Sequence, residues 1–102
     1  MNAAQYWEFV RYTAEYILDT AGDDQDAQER CLYEAADSEV ADVSDCLDIL
    51  RFSPSHGAYF DYISGELRVT SFTEVVMKLA YAALLCDLRE KLSELTAERE
   101  RS

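Results

Sequence analysis

A chain of 102 residues with a formal net charge of −12 has room for one hydrophobic core and not for two. Apolar residues make up 49% of it, with three glycines and one proline, a composition that excludes a disordered segment despite the charge. No apolar run reaches the roughly 18 to 20 residues of a membrane span, and nine scattered Lys and Arg cannot cluster around phosphate, so membrane and direct nucleic-acid binding are excluded as functions.

The start, Met1-Asn2-Ala3-Ala4-Gln5, lacks the basic and apolar regions of a secretory signal, so a cytoplasmic product is expected. Asn2 with Gln5 reads as a capping box that opens a first helix, along which Tyr6, Phe9, Val10, Thr13 and Ile17 recur at helical spacing until Gly22 ends it. Asp23 or Asp24 caps a second helix over roughly 24–36, whose thin apolar face is Ala27, Cys31, Leu32 and Ala35. A third helix over roughly 38–52 places Val40, Val43, Leu47 and Leu50 on one face and stops before Ser53-Pro54.

Residues 53–70 are the hardest to assign. Ser53-Pro54-Ser55-His56-Gly57 is turn chemistry, and Ala58-Tyr59-Phe60-Asp61-Tyr62-Ile63 fits a short helix closed by Gly65 better than a strand. Ser71 with Glu74 forms a second capping box, and from there to about residue 98 neither Gly nor Pro interrupts a helix of about 40 Å. Its first half is apolar on most sides and suits the centre of a bundle. Its second half carries only the stripe Leu88, Leu92 and Leu95, which either protrudes, frayed or paired with a second copy, or caps its own bundle. The expected fold is a single all-α domain over 1–102, a small helical bundle of four to five helices with a long C-terminal helix.

Charge is distributed unevenly. Residues 19–48 hold eleven acids against one base, Arg30, and so carry −10 of the total. On a continuous third helix Glu39, Asp42, Asp45 and Asp48 would recur every three residues, falling at about 260°, 200°, 140° and 80° when Val40 is set to zero. The apolar residues cluster near ~320°, so the carboxylates would wind around the exposed side as a curved row, as phosphates do along a strand. Glu39, Asp42 and Asp45 lack the Lys or Arg at i+3 or i+4 that relieves repulsion on a helix; only Asp48 has one, Arg51. The preceding helix adds Asp23, Asp24, Asp26, Glu29, Glu34 and Asp37. A solvated face is the plain reading of such acids; concentrated repulsion that costs stability points instead to use as a contact surface.

No catalytic constellation is legible. The single histidine, His56, sits in a turn without a nucleophile partner, and the three cysteines, Cys31, Cys46 and Cys86, are widely spaced in a way that suits reduced core thiols better than disulfides or zinc. Asp24 and Asp26 match the start of a calcium loop, but Glu29 and Ala35 stand where it requires Gly and Glu. No metal and no cofactor is expected. Tyr6, Trp7, Tyr12 and Tyr16 are mostly core candidates, whereas Tyr59, Phe60 and Tyr62 form a second candidate contact surface.

The stretch Ala35-Ala36-Asp37-Ser38-Glu39-Val40, with Cys46-Leu47-Asp48-Ile49-Leu50-Arg51-Phe52-Ser53 and Ala58-Tyr59-Phe60-Asp61, resembles small proteins of phages and mobile elements. In size, acidity and helicity the chain also resembles the anti-CRISPR and antirestriction inhibitors, several of which imitate DNA. That resemblance implies a non-enzymatic inhibitor in the host bacterial cytoplasm whose partner is a basic nucleic-acid-binding protein or defence complex. The ten acids from Asp23 to Asp48 named above are the expected contacts. Two alternatives remain open: an immunity protein or antitoxin that neutralises a basic nuclease, and a helical assembly subunit dimerising through Leu88, Leu92 and Leu95.

Overall fold

The computed structural model describes residues 2–53 and 72–101, all in or beside four helices. These are α1 (Ala3–Ala21), α2 (Gln25–Glu39), α3 (Val43–Phe52) and α4 (Phe72–Arg101). The small helical bundle with a long C-terminal helix is therefore as expected. The proposed short helix near 58–63, its Gly65 stop and the Ser71 cap lie outside the described residues, as do His56, Tyr59, Phe60 and Tyr62.

Local chemistry sets the start and end of α1. The Asn2 side chain accepts from the Gln5 amide at 2.9 Å while the Gln5 side chain accepts from the Asn2 amide at 2.8 Å, completing a capping box. At the other end Gly22 donates to the Leu18 carbonyl at 2.9 Å and adopts φ 58°, a left-handed conformation that a side chain would strain. Asp24 then caps α2 by accepting from the amides of Asp26 and Ala27.

α4 is the central element. Its 30 residues correspond to about 45 Å, close to the 47 Å long axis of the molecule, and it packs against each of the other three helices. Val76, Ala80, Ala83, Leu84 and Leu88 join Tyr6, Val10, Ala14 and Ile17 of α1, Leu32 and Ala36 of α2, and Cys46 and Ile49 of α3 in one core. Each fully buried Leu there contributes about 1.5 to 3 kcal/mol.

Two expectations are corrected. The third helix does not run through 38–52: α2 continues to Glu39, the chain turns at Val40, and α3 starts afresh with Asp42 as its N-cap, accepting from the Asp45 amide at 2.9 Å. An aspartate gains more from capping orphan amides than from a helix interior, so the break falls there. The restart also rotates the core face. With Val43 at zero, Cys46, Ile49 and Ser53 fall at about 300°, 240° and 280°, while Leu47 falls at about 40°. The first three are buried and Leu47 is 45% exposed, so Leu47 drops out of the expected face, while Val40 stays in the core and Val43 and Leu50 pack partly against it.

The second correction concerns the protruding C-terminal end: Leu88, Leu92 and Leu95 are 0%, 8% and 6% exposed within this one chain, as the alternative that the stripe caps its own bundle has it. They do not protrude, because the C-terminal half of α4 lies along α1 and α2. Arg99 pairs with Asp19 of α1 at 2.9 Å, and Arg89 with Glu29 of α2 at 3.1 Å, fastening that end.

Candidate functional site

The break between α2 and α3 divides the acids into two groups. Asp23, Asp24 and Asp26 surround the start of α2; Glu34, Asp37, Glu39, Asp42, Asp45 and Asp48 lie toward its end and on α3. Along α2 the nearest members of the two groups, Asp26 and Glu34, are roughly 12 Å apart, and Asp24 and Glu39 roughly 20 Å. The single winding row is therefore replaced by an acidic corner and a smaller cluster.

The corner is built from the end of one helix and the start of the next. Asp42 and Asp45 are exposed, Glu39 and Asp48 half-buried. Asp42 has a local task as the cap of α3, and Asp45 sits in the first turn, where the positive end of the helix dipole favours it. Glu39 has the opposite setting. It ends α2 beside Asp37 with no base in the last turn, where the dipole disfavours an anion.

Proximity shows in proton affinity. The charge of Asp42, followed by desolvation, the hydrogen bond to Asp42 and the charge of Asp48, raises the Asp45 carboxyl above its ordinary range. Burial, followed by the charge of Asp45, raises Glu39. Among the described residues none of Glu34, Asp37, Glu39, Asp42, Asp45 and Asp48 forms an ion pair; the five pairs present engage Glu15, Asp19, Glu29, Glu74 and Glu94. Among the described residues no direct ion pair offsets the repulsion at the corner.

Elsewhere the acids are used internally. Arg89 donates from Nη2 to Glu29 at 3.1 Å and to the Tyr33 hydroxyl at 3.0 Å. Burial lowers the proton affinity of this guanidinium, but the hydrogen bonds to Tyr33 and Glu29 outweigh it and raise the group above its ordinary range. Asp37 stands at the rim of a groove of about 590 Å³ between α2 and α4, floored by Val40, Met77 and Tyr81. Burial, then the charge of Asp37, raises the Tyr81 phenol.

A polar cluster that sequence reasoning missed lies inside the bundle. Asp87 of α4 is 1% exposed and accepts through Oδ2 from the hydroxyl of Tyr6 on α1 and, at 2.6 Å, from the hydroxyl of Ser53 at the end of α3. Burial first, and then the hydrogen bond to Asp87, pushes the Tyr6 phenol far above its usual range. The available signal was a lone acid in Leu84-Leu85-Cys86-Asp87-Leu88, four residues after Ala83 on the core stripe. With its hydroxyl donors enclosed, the cluster ties three helices together.

Among the described residues no group of three or more His, Cys, Asp and Glu side chains is arranged to hold a metal, and no helix is long and apolar enough to cross a membrane. Cys31, Cys46 and Cys86 are free thiols, with Cys46 fully buried. Comparison with known protein families, characterised proteins and solved structures finds no match to this chain.

Proposed function

We propose that this protein is a non-enzymatic inhibitor of a bacterial defence system that covers a basic, nucleic-acid-binding surface with its acidic corner. One observation carries the reading: Glu39, Asp42, Asp45 and Asp48 are gathered at the α2–α3 junction, none of them forms an ion pair among the described residues, and the neighbouring charges raise the proton affinity of Asp45 and Glu39. A fold gains nothing from such repulsion, whereas a groove built for phosphate gains a complementary surface and faster encounter. Two acidic groups, one at each end of α2, suit separated basic contacts better than one continuous strand-like row.

Replacing Asp42, Asp45 and Asp48 by Asn tests this. Asn caps a helix as well as Asp does, so α3 keeps its start and the variant retains its circular dichroism. Affinity capture from bacterial lysate should recover a nucleic-acid-binding defence complex with the parent chain and not with the variant. Raising salt should release it, since the screening length falls from about 10 Å at 0.1 M to about 3 Å at 1 M. Equal capture by the variant, indifferent to salt, overturns the reading; recovery of a cognate nuclease toxin would redirect it to an immunity protein.

A further inference from the structure

The chain contains an occupied binding arrangement for one guanidinium. Glu29 and Tyr33, four residues apart on α2, hold Arg89: Nη2 donates to both side chains, and Cζ lies 5.7 Å from the centroid of the tyrosine ring. The same two residue types at the same spacing recur on α1 as Glu8 and Tyr12. Residues i and i+4 on a helix lie one above the other, so both pairs present a carboxylate one turn before a phenol.

On α1 the arrangement faces solvent. Tyr12 is 73% exposed, and Glu8 forms no ion pair among the described residues. The basic residue between them, Arg11, is already engaged by Glu15 at 3.1 Å. Tyr12 and the half-buried Phe9 line a groove of about 510 Å³ that opens between Glu8 and Glu15. Exposed aromatic surface beside an acid suits an arginine: its planar guanidinium can donate to the carboxylate while resting on the ring, whereas a lysine ammonium is more strongly hydrated.

We propose that Glu8 and Tyr12 form a guanidinium clamp on α1 that receives an arginine side chain of a basic protein partner. The partner's basic character rests on the function proposed above; the preference for arginine rests on the likeness to the Arg89 site. A net charge of −12 steers such a partner inward, and the clamp then discriminates between its cations.

Deca-arginine and deca-lysine peptides titrated against the full chain at 0.15 M salt provide the test, followed by calorimetry and by the fluorescence of Trp7, the one tryptophan and the neighbour of Glu8. The arginine peptide should bind more tightly and shift the Trp7 emission. Tyr12→Ala should lower the ratio of arginine to lysine affinity about two- to five-fold, the range expected of an exposed cation–π contact. Tyr12→Leu, which keeps apolar cover over Phe9, should do the same. A ratio unchanged from the parent in both variants overturns the clamp. The Asp42, Asp45 and Asp48 to Asn variant should weaken both peptides at constant ratio, so the acidic corner and the clamp fail separately.

Discussion

Replacing Asp87 by Ala removes the acceptor of two hydroxyls at once. Tyr6 is 0% and Ser53 2% exposed, so water cannot take its place without opening the core. A buried donor left unsatisfied costs about 1 to 3 kcal/mol, giving about 2 to 6 kcal/mol for the two. Removing the acid also relieves the cost of keeping a carboxylate out of water, which lowers the expected loss to about 2 to 4 kcal/mol. For a domain of this size 1 kcal/mol moves Tm by roughly 5 °C, so thermal unfolding followed by circular dichroism should show a drop of about 10 to 20 °C. Tyr6→Phe keeps the ring and leaves Ser53 on the carboxylate, and should cost about 1.5 to 3 kcal/mol. The double variant has no phenol hydroxyl left to orphan, so the combined loss should fall short of the sum by about 1 kcal/mol or more. Strict additivity, or an Asp87→Ala loss under about 0.5 kcal/mol, refutes the account of the cluster.

Tyr6 also gives a pH signature. Its phenol is raised in the fold, so between the ordinary tyrosine value near ~10 and the folded value the unfolded chain has lost a proton that the folded chain keeps; stability falls there by up to about 1.4 kcal/mol per pH unit. The stability gap between parent and Tyr6→Phe should therefore close as urea unfolding is repeated from pH 9 to pH 11. Glu39 and Asp45 are raised too, so the folded chain takes up protons first as pH falls from 7 toward the carboxylate range; their contribution makes the fold more stable in that window. Asp42→Asn, which removes the main cause at Asp45, should shrink the gain in Tm between pH 7 and pH 5. Leu92→Glu places a charge at an 8% exposed core position and should cost about 3 kcal/mol or more in urea unfolding; light scattering should show the same mass as the parent wherever both are folded.

Helix starts and stops were readable where both partners of the signal lie within a few residues. Asn2 with Gln5, Asp24 and Gly22 each act on amides or carbonyls no more than four positions away, so sequence contains the whole interaction. The α2–α3 break was obscured because Val40, Val43, Leu47 and Leu50 fit an unbroken helix as well as two. What decides it is the burial of Cys46 and Ile49 in the shared core, a choice made by residues far along the chain. Asp42 offered the local clue, being one of four acids whose regular spacing favoured continuity. The acids of the corner were identified individually, but their grouping depended on that break. For Leu88, Leu92 and Leu95 the pattern showed that something covers the stripe; whether a second copy or the same chain does so is a matter of tertiary packing. Asp87 was hidden by averaging over apolar neighbours, and its partners stand 81 and 34 residues away.

The central position of α4 has a consequence for synthesis. α1 and α3 meet each other only slightly, and each finds its main apolar partner in the last helix. On the ribosome the first three helices therefore emerge with their apolar faces uncovered, and the carboxylate that engages Tyr6 and Ser53 arrives only with residue 87. At about 5 to 20 residues per second, the nascent chain spends several seconds in that exposed state before its core can close. Folding is consequently coupled to synthesis of α4: a message cut short before it leaves α1 and α3 without the helix that carries most of their packing.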